Sequence, residues 1–267
     1  MNRRDTEQPD PHEPRFTHVF ATPRTRLDVE VVSTTYLPHP DANADAWRDA
    51  KARLGDKLFD GPMCRFEGLT LNAGGFRLRV SRTSYRGFIE TNLFGPRTLP
   101  TDALARPIGV SVALETADRH LVLGRRGDGV AYYPNRTHPF AGSLEWSERP
   151  GGIDPFADCR RELREELGLA DDEVHDLALT GVAEDLDLRH PELIFAARTT
   201  LDVPALRRRL DRAEHDAVAA FPATQRGVET ALADDALTPV ARAAVRLFAL
   251  ARIRANSRVG SDGDQGV

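Results

Sequence analysis

The sequence predicts an α+β protein, a layered sandwich in which helices cover mixed sheets. Two observations predict it. Strand-like segments occur before, between and after helical ones, and the 267 residues are 40% hydrophobic and 29% charged, which is the composition of a globular chain with a sizeable core. No run of about 18 apolar residues is present, which excludes a membrane span, and the charged, proline-containing beginning of the chain carries no secretory signal. We therefore expect a cytoplasmic protein without a membrane partner.

Charge and cysteine usage exclude further classes. The net charge of −5 argues against a nucleic-acid partner, although arginine supplies nearly all the cations: the only lysines are Lys51 and Lys57. This bias is compatible with phosphate recognition but is also typical of coding composition. Cys64 and Cys159 lie far apart and have no His or Cys at metal-ligand spacing, which excludes a disulfide or zinc scaffold.

The composition divides the chain into four segments. Residues 1–14 and 256–267 are polar, so we expect disordered tails. The joint at Leu99–Asp102 separates an N-terminal unit, residues 15–100, from a second domain, residues 101–255.

The N-terminal unit is predicted to contain a strand, a helix and a hairpin. Arg26–Tyr36 alternates apolar and polar residues as a half-buried strand does, and Asp41–Leu54 has a helical pattern. Cys64–Leu71 and Phe76–Val80 flank Asn72-Ala73-Gly74-Gly75, whose glycines suit a tight hairpin turn.

The second domain begins with a strand pair and contains one strongly marked helix. Asp154 is a good N-cap for the helix Asp154–Leu167, Pro155 suits its first position, and Gly168 ends it. The other predicted elements are the strands Ile108–Leu114, Leu121–Leu123 and Leu193–Thr199 and the helices Pro204–Ala217 and Pro239–Ile253.

The strongest chemical pattern is Arg161-Glu162-Leu163-Arg164-Glu165-Glu166-Leu167-Gly168-Leu169. On a helix, Glu162, Glu165 and Glu166 share one face while Leu163 and Leu167 point to the core. Three crowded carboxylates repel each other unless a hard divalent cation lies between them. The alternative is a solvated helix stabilised by Arg–Glu pairs, which the specific order of residues makes less attractive.

Together with Gly142 and Glu148 upstream, this pattern resembles the Nudix hydrolase superfamily, whose signature is Gly-x5-Glu-x7-Arg-Glu-U-x-Glu-Glu-x-Gly-U, with U a bulky apolar residue. Arg161–Leu169 matches every fixed position of the second half. The first half departs in one respect, because twelve residues rather than seven separate Glu148 from Arg161. We interpret the difference as a five-residue insertion, Arg149–Ile153. The resemblance implies a Nudix α/β/α sandwich preceded by a strand- and hairpin-containing extension.

The resemblance also implies a chemistry and a set of residues. Glu162 and Glu166, with Glu165 close by and the main-chain carbonyl of Gly142, would bind Mg²⁺, with Mn²⁺ as an alternative ion. The ion would neutralise diphosphate oxygens and activate the attacking water. Arg161 would pair with Glu148 and brace the loop before the helix. A general base outside the pattern has four candidates by position, Glu184, Asp185, Asp187 and Glu192, each of which could equally be a solvated acidic residue.

The N-terminal unit narrows the substrate. Leu58–Pro62, the hairpin and Thr83–Asn92 resemble the region ahead of the Nudix fold in the UDP-sugar branch of the superfamily. This resemblance places Phe59 and Tyr85 against the uracil or ribose and Arg126 against a phosphate or the base. It also assigns substrate contacts to Glu145, His138 and Ser143, the last two being residue types that differ from those of the branch. Without the resemblance, the aromatic residues are equally consistent with core packing: Phe59, Tyr85, Tyr132 and Tyr133. Arg126 is then equally consistent with a solvated strand end.

The resemblance therefore predicts a Mg²⁺-dependent diphosphatase that converts a UDP-sugar to UMP and a sugar 1-phosphate. Two alternatives stay open. One is a Nudix hydrolase for another nucleoside diphosphate derivative, such as ADP-ribose or a dinucleotide. The other is a sensor that binds a nucleotide sugar without cleaving it, against which the complete set of glutamates argues. The oligomeric state is not predicted.

Overall fold

The computed structural model describes residues 13–37, 39–55, 58–72 and 75–261. Its strands are β1 (Arg15–Arg24), β2 (Asp28–Thr35), β3 (Pro62–Asn72), β4 (Gly75–Ser84), β5 (Gly109–Glu115), β6 (His120–Arg126), β7 (Thr137–His138), β8 (Phe140–Ser143), β9 (Val174–Asp185), β10 (His190–Thr199) and β11 (His215–Pro222). Its helices are α1 (Ala44–Leu54), α2 (Tyr85–Gly87), α3 (Pro155–Leu167), α4 (Val203–Arg209), α5 (Gln225–Leu232) and α6 (Pro239–Ser261). A π-helical turn, Phe88–Leu93, continues α2.

The strands form a large mixed sheet and a small one. The large sheet has the order β1-β9-β10-β5-β6-β11, with β7 paired to β6 and β8 to β5, and the small sheet has the order β2-β4-β3. The central pair β10–β5 is parallel, whereas the other pairs of the large sheet are antiparallel. On the edge of β5 away from β10, Gly109–Val112 pair with β8, whereas Leu114 and Glu115 pair with β6. β6 and β8 therefore share this edge of β5, each along a different part of the strand.

Side chains alternate between the two faces of the large sheet. Val110 and Val112 of β5 point into the core that contains Cys159, Leu163 and Leu167 of α3. Ala113, on the other face, lies in the core that contains the buried residues of α6: Val240, Ala241, Ala243, Ala244, Val245, Leu247 and Phe248. The sheet is thus covered on both sides, since alternate residues of a strand face opposite layers. The predicted α+β class and the α/β/α sandwich are confirmed.

The predicted hairpin and capped helix are present. β3 and β4 are antiparallel and pair up to Asn72 and Gly75, with one register shift between Phe66 and Gly68. Ala73 and Gly74 of the predicted turn lie outside the described residues. α3 begins after Asp154, whose carboxylate accepts a hydrogen bond from Phe156 N, and ends at Gly168 with φ +62°. α1 begins at Ala44, later than expected, because Asn43 accepts from Ala46 N and caps the helix there.

Other elements differ from the prediction. The predicted helix Pro204–Ala217 is wrong in its second half: α4 stops at Arg209 and β11 starts at His215, because pairing with β6 outweighs the local helical preference. β1, β9 and α5 were not predicted. β1 also lies in the large sheet, although residue 15 onward is placed in the N-terminal unit by sequence.

Both predicted tails fall at the limits of the described residues. Residues 1–12 of the N-terminal tail lie outside them. At the other end, α6 runs to Ser261, past the predicted helix end at Ile253 and into the predicted tail 256–267, whose residues 262–267 lie outside the described part. The prediction thus ended the helix too early, since helix propagation adds one hydrogen bond for each further residue and does not need an apolar face.

Candidate active site

Helix α3 presents its carboxylates at different depths. Glu162 and Glu166 are one turn apart and buried, being 9% and 6% exposed, whereas the Glu165 side chain is largely exposed. The helical spacing brings Glu162 and Glu166 to one face beside β8, and Leu163 and Leu167 anchor the opposite face in the core. The site therefore contains two buried carboxylates of like charge rather than three.

Glu162 lies directly against Gly142 of β8. A Cβ atom at position 142 would overlap with Glu162 Oε1, so only glycine permits this approach. Burial raises the pKa of Glu162 to about 8, because desolvation penalises the anion; Arg161 opposes the rise and Glu166 adds to it. This carboxylate lacks sufficient compensating positive charge.

Glu166 is held through both carboxylate oxygens. Ala141 N donates to Glu166 Oε2 at 3.1 Å, and His215 Nε2 lies 2.9 Å from Glu166 Oε1. Burial, with Glu214 nearby, raises the pKa of Glu166 well above its usual value. Burial also lowers the pKa of His215 to about 4, helped by Arg126, so the imidazole is neutral near pH 7.

Arg161 of α3 contacts four carboxylates. Its guanidinium nitrogens lie 2.8 Å from Glu162, 3.1 Å from Glu165, 3.4 Å from Asp158 and 3.5 Å from Glu145. Only the contact with Glu145 reaches the loop that follows β8, and through it Arg161 joins α3 to that loop.

The predicted pair between Arg161 and Glu148 is wrong. Glu148 instead accepts from Arg82 at 3.1 Å and from Trp146 Nε1 at 2.8 Å. The insertion Arg149–Ile153 lengthens the loop between Glu148 and α3, and Asp158, three residues before Arg161 on the same helix, takes the expected position.

Glu165 pairs with Arg161 and points to solvent. Within the described ranges, no three His, Cys, Asp or Glu side chains converge closely enough to hold a metal ion by themselves. The metal role of Glu165 stays a prediction. Glu162 and Glu166, together with the backbone at Gly142, are the groups that the fold brings together at this place.

Arg126, at the end of β6, is a buried cation. It is 5% exposed, and its guanidinium carbon lies 4.7 Å from the centroid of the Tyr132 ring. Its side chain makes no hydrogen bond or ion pair with any residue that the structure describes. Its charge is close enough to favour the anionic form of Glu166. A guanidinium that is desolvated and stacked but not paired is well suited to bind an anion.

Aromatic residues line the region beside Arg126. Tyr132 contacts Phe88 and Tyr133, with ring centroids 5.8 and 6.0 Å away. Tyr85 is half-buried, and burial raises its pKa to about 12 while Arg126 opposes the rise. The structure thus brings Tyr85 close to Arg126, as the predicted substrate site requires. Phe59 is 73% exposed and makes no ring contact with another described aromatic residue.

The remaining predicted substrate residues have different surroundings. His138 is buried, and its Nδ1 atom is 2.8 Å from the hydroxyl of Thr238 at the start of α6. Ser143 ends β8 opposite Gly109. Glu145 donates its backbone N–H to Asp158 Oδ2 at 2.9 Å. His138 thus makes a buried contact with Thr238, and its role at the substrate stays a prediction. Ser143 and Glu145 lie on the strand and loop beside Gly142.

The four candidate general bases are engaged in other contacts. Glu184 pairs with Arg15 and Arg106, and Asp187 pairs with Arg97. Asp185 accepts from the N–H groups of Asp187 and Leu188 and from the Tyr133 hydroxyl, which closes the β9–β10 turn. Glu192 accepts from Ser111 and lies 3.4 Å from His190.

Glu214 and His215 were not identified from the sequence. Both stand where β11 begins, and the charge of Glu214 raises the pKa of both Glu162 and Glu166. The helix predicted over this segment concealed them. The alternation of Val218 and Ala220 is a weak signal for a strand. With that strand recognised, Glu214 just before it would have been a candidate acidic site residue.

No family model matches the chain. A human protein named uridine diphosphate glucose pyrophosphatase NUDT22 is 33% identical over 144 residues, which cover 48% of this chain and 48% of that protein. The chain thus spans about half the length of this curated relative. The resemblance to the Nudix hydrolases is confirmed. The human relative is named as a UDP-glucose pyrophosphatase, so the resemblance is to the UDP-sugar branch, which the N-terminal unit also indicates.

Three solved structures, one of them described as a hydrolase of the Nudix family, are also similar to part of the chain. A hydrolase of the Nudix family from Clostridium perfringens is 16% identical with a TM-score of 0.37 and covers 54% of this chain and 97% of its own. The MutT protein from Methanosarcina mazei Go1 is 18% identical with a TM-score of 0.40, over 53% of this chain and 91% of its own. The protein DR0079 from Deinococcus radiodurans is 17% identical with a TM-score of 0.41, over 57% and 88% respectively.

In the Nudix pattern of this chain, the positions that the fold brings together are Gly142, Arg161, Glu162 and Glu166. Glu148 has moved to a contact with the N-terminal unit, and Asp158 replaces it beside Arg161. Among the described residues, no helix is long and apolar enough to cross a membrane.

Proposed function

We propose that this chain is a divalent-metal-dependent hydrolase that converts a UDP-sugar of the UDP-glucose type and water into UMP and a sugar 1-phosphate. One observation carries the proposal: the buried guanidinium of Arg126, unpaired among the described residues, lies close to the buried carboxylate of Glu166, one helical turn from that of Glu162. A fixed cation and a carboxylate pair that needs a cation together suit a diphosphate, which binds both.

The carboxylates fit a hard divalent cation. Burial raises the pKa values of Glu162 and Glu166 and neighbouring carboxylates add to the rise, so their charges are not compensated; Gly142 leaves the space beside Glu162 free of a side chain. Mg²⁺ in proteins commonly uses one or two carboxylates and completes its shell with water and substrate phosphate. Glu162, Glu166 and the Gly142 carbonyl would hold Mg²⁺ or Mn²⁺, with Glu165 as a further ligand. The bound ion would neutralise diphosphate oxygens and lower the pKa of the attacking water.

Arg126 would bind the diphosphate from the other side. Its guanidinium presents a planar set of donors, and the face of Tyr132 holds it in place. Because it has no carboxylate partner among the described residues, binding a phosphate breaks no existing ion pair. The charge that develops on the departing phosphate would be stabilised by this preorganised cation.

Glu214 is the group that we assign to accept a proton from the attacking water. It is exposed at the start of β11 and close enough to raise the pKa values of Glu162 and Glu166. The water oxygen bonds to one phosphorus, and the bridging P–O bond breaks with its electron pair on the leaving phosphate. The products are UMP and the sugar 1-phosphate whichever phosphorus is attacked.

The aromatic residues support a nucleoside beside Arg126. Tyr85 and Tyr132 offer flat faces, and the exposed Phe59, three residues before β3, is a further platform. The choice of uridine and of a sugar rests on the N-terminal unit and on the name of the human relative. His138 is hydrogen-bonded to Thr238, so it would affect sugar binding by positioning its neighbours and not by direct contact.

Product analysis tests the proposal. The full-length protein with Mg²⁺ is incubated with UDP-glucose, ADP-ribose, NADH and a dinucleoside polyphosphate, and the products are separated by chromatography. We expect UMP and glucose 1-phosphate from UDP-glucose alone. Cleavage of an adenine compound instead would retain the diphosphatase chemistry and reject the uridine assignment. Cleavage of none would reject the proposed reaction and leave a nucleotide-sugar sensor or a hydrolase for a different substrate.

Two variants test the assigned residues. Glu166→Gln keeps the shape but removes a ligand charge, and we expect kcat to fall by about two orders of magnitude or more. Arg126→Met removes the phosphate contact and should raise KM by about tenfold or more. Arg125→Met, at the exposed neighbouring position, is the matched control and should leave both constants near those of the wild type.

A further inference from the structure

His215 and Glu166 form a buried contact between two elements that are distant in the chain. His215 is the first residue of β11 and is 1% exposed; Glu166 lies in the last turn of α3. Their Nε2 and Oε1 atoms are 2.9 Å apart, which is a normal hydrogen-bond distance. The contact is sealed from solvent on both sides.

The imidazole ring of His215 is confined to one position. Phe140 lies edge-to-face with it, with ring centroids 5.4 Å apart and an interplanar angle of 71°. On the other side, the ring occupies the space above Gly124 of β6, where a Cβ atom would overlap with Nδ1. The sheet therefore has a glycine where the imidazole needs room, and the ring cannot turn away from Glu166.

Glu166 has more hydrogen-bonding partners than the other two glutamates of the pattern, Glu162 and Glu165. Its second oxygen accepts from Ala141 N at 3.1 Å, so that each oxygen has a polar partner from a different strand. Glu162 is held by Arg161 alone among the described side chains, and Glu165 is exposed. A carboxylate fixed in this way has one orientation before any cation binds.

We propose that His215 is a positioning residue for the divalent cation: its Nε2–H donates to Glu166 Oε1 and fixes the orientation in which this carboxylate binds the ion. The inference rests on the proposed function, because it needs Glu166 to be a ligand. Donors behind metal-binding groups raise affinity by orienting the ligand, and their loss typically weakens binding by about 10- to 100-fold. His215 itself contacts neither the cation nor the substrate.

Two matched substitutions separate positioning from packing. A glutamine amide reaches the place of the imidazole Nε2, whereas an asparagine amide reaches only that of Nδ1. His215→Gln therefore keeps the donor to Glu166 and His215→Asn removes it, while both place a smaller polar side chain in the same cavity. Gly124→Ala supplies an independent third variant, because it displaces the imidazole without changing residue 215.

The experiment measures Mn²⁺ binding to the full-length protein by isothermal titration calorimetry, together with the thermal unfolding midpoint of the metal-free protein. We expect the Mn²⁺ dissociation constant to rise about 10- to 100-fold in His215→Asn and Gly124→Ala, and to stay within about threefold of the wild type in His215→Gln. The unfolding midpoints of the Asn and Gln variants should fall by similar amounts, since both lose the same packing.

Each other outcome has one meaning. Wild-type affinity in His215→Asn, or equal weakening in the Asn and Gln variants, would overturn the positioning role while the proposed function stands. If His215→Asn does not fold, Gly124→Ala decides in its place, and a wild-type dissociation constant there overturns the role. A wild-type protein that binds no Mn²⁺ would reject the metal site of the proposed function and the positioning role with it.

Discussion

Asp158 lies three residues before Arg161 on α3, with its Oδ1 atom 3.4 Å from Arg161 Nε. Its other oxygen accepts from the backbone N–H of Glu145 at 2.9 Å. One carboxylate thus joins the helix to the loop that follows β8. The loop follows the strand that carries Gly142, and the helix carries the buried glutamates. This link therefore helps to set how closely Gly142 and the glutamates approach.

Removing Asp158 should therefore destabilise the protein more than removing Glu148. Asp158→Ala leaves the Glu145 N–H without its acceptor, and we expect the free energy of unfolding to fall by about 1 to 3 kcal/mol. Glu148→Ala removes only an exposed pair with Arg82, which should contribute less than about 1 kcal/mol. Urea denaturation measures both. Equal losses would contradict the assignment of Asp158 as the partner of Arg161.

Gly142→Ala tests the close approach of β8 to Glu162. The added Cβ would displace the Glu162 carboxylate, and since misplacing a catalytic group by about 1 Å can cost 100-fold, we expect kcat to fall by about that factor. Gly151→Ala is the matched control, because its Cβ meets no other atom. The control should lose roughly 1 kcal/mol of stability through its positive φ and keep its turnover. A Gly142→Ala variant with normal kcat would remove Glu162 from the site.

Helix α3 could be predicted in full because the signals that define it are local. Asp154, Pro155 and Gly168 start and end it, and Leu163 and Leu167 lie in the core as predicted. The depth of the glutamates was predicted only in part, since Glu165 is exposed. β11 could not be predicted, because it is a strand only through its pairing with β6. Glu214 and His215 were missed for the same reason. Glu214 and His215 reach the site only because β11 pairs at the edge of the large sheet. That pairing depends on the whole sheet and not on the local sequence.

The partner of Arg161 illustrates a second limit. The spacing pattern pointed to Glu148, but a loop lengthened by five residues no longer carries that carboxylate to the helix. Asp158 was visible in the sequence at the right helical spacing from Arg161, yet nothing local distinguishes it from a solvent-exposed acid on the first turns of α3.

The raised pKa of Glu162 predicts how the stability of the metal-free protein depends on pH. The folded-state pKa of about 8 lies above the usual 4.5, so the folded protein retains a proton that the unfolded chain releases. Its stabilising contribution is complete below about pH 4.5 and is lost as the pH rises to 8. The raised pKa of Glu166 acts in the same direction.

The measurement is the unfolding midpoint in EDTA between pH 6.5 and 8.5. His215, whose pKa is lowered from 6.5 to about 4 in the folded protein, opposes this trend only at the lower end of the window, where the unfolded imidazole still binds a proton. We expect the midpoint to fall with rising pH, and Glu162→Gln to fall less steeply because one titrating group is gone. Glu165→Gln, at the exposed position, is the control with the wild-type slope. An equal slope in Glu162→Gln would contradict the raised pKa.

Tyr85→Ala tests the nucleoside platform beside Arg126. Loss of an aromatic face costs about 0.5 to 1.5 kcal/mol, which corresponds to a rise in KM of roughly 2- to 13-fold with UDP-glucose, while kcat changes little because the contact exists already in the ground state. Phe94→Ala is the control, an exposed aromatic residue on the π-helical side of the N-terminal unit. It should leave KM unchanged. If Tyr85→Ala also leaves KM unchanged, the N-terminal unit does not bind the nucleoside, and the preference for uridine must come from the strands that carry Arg126 and Tyr132.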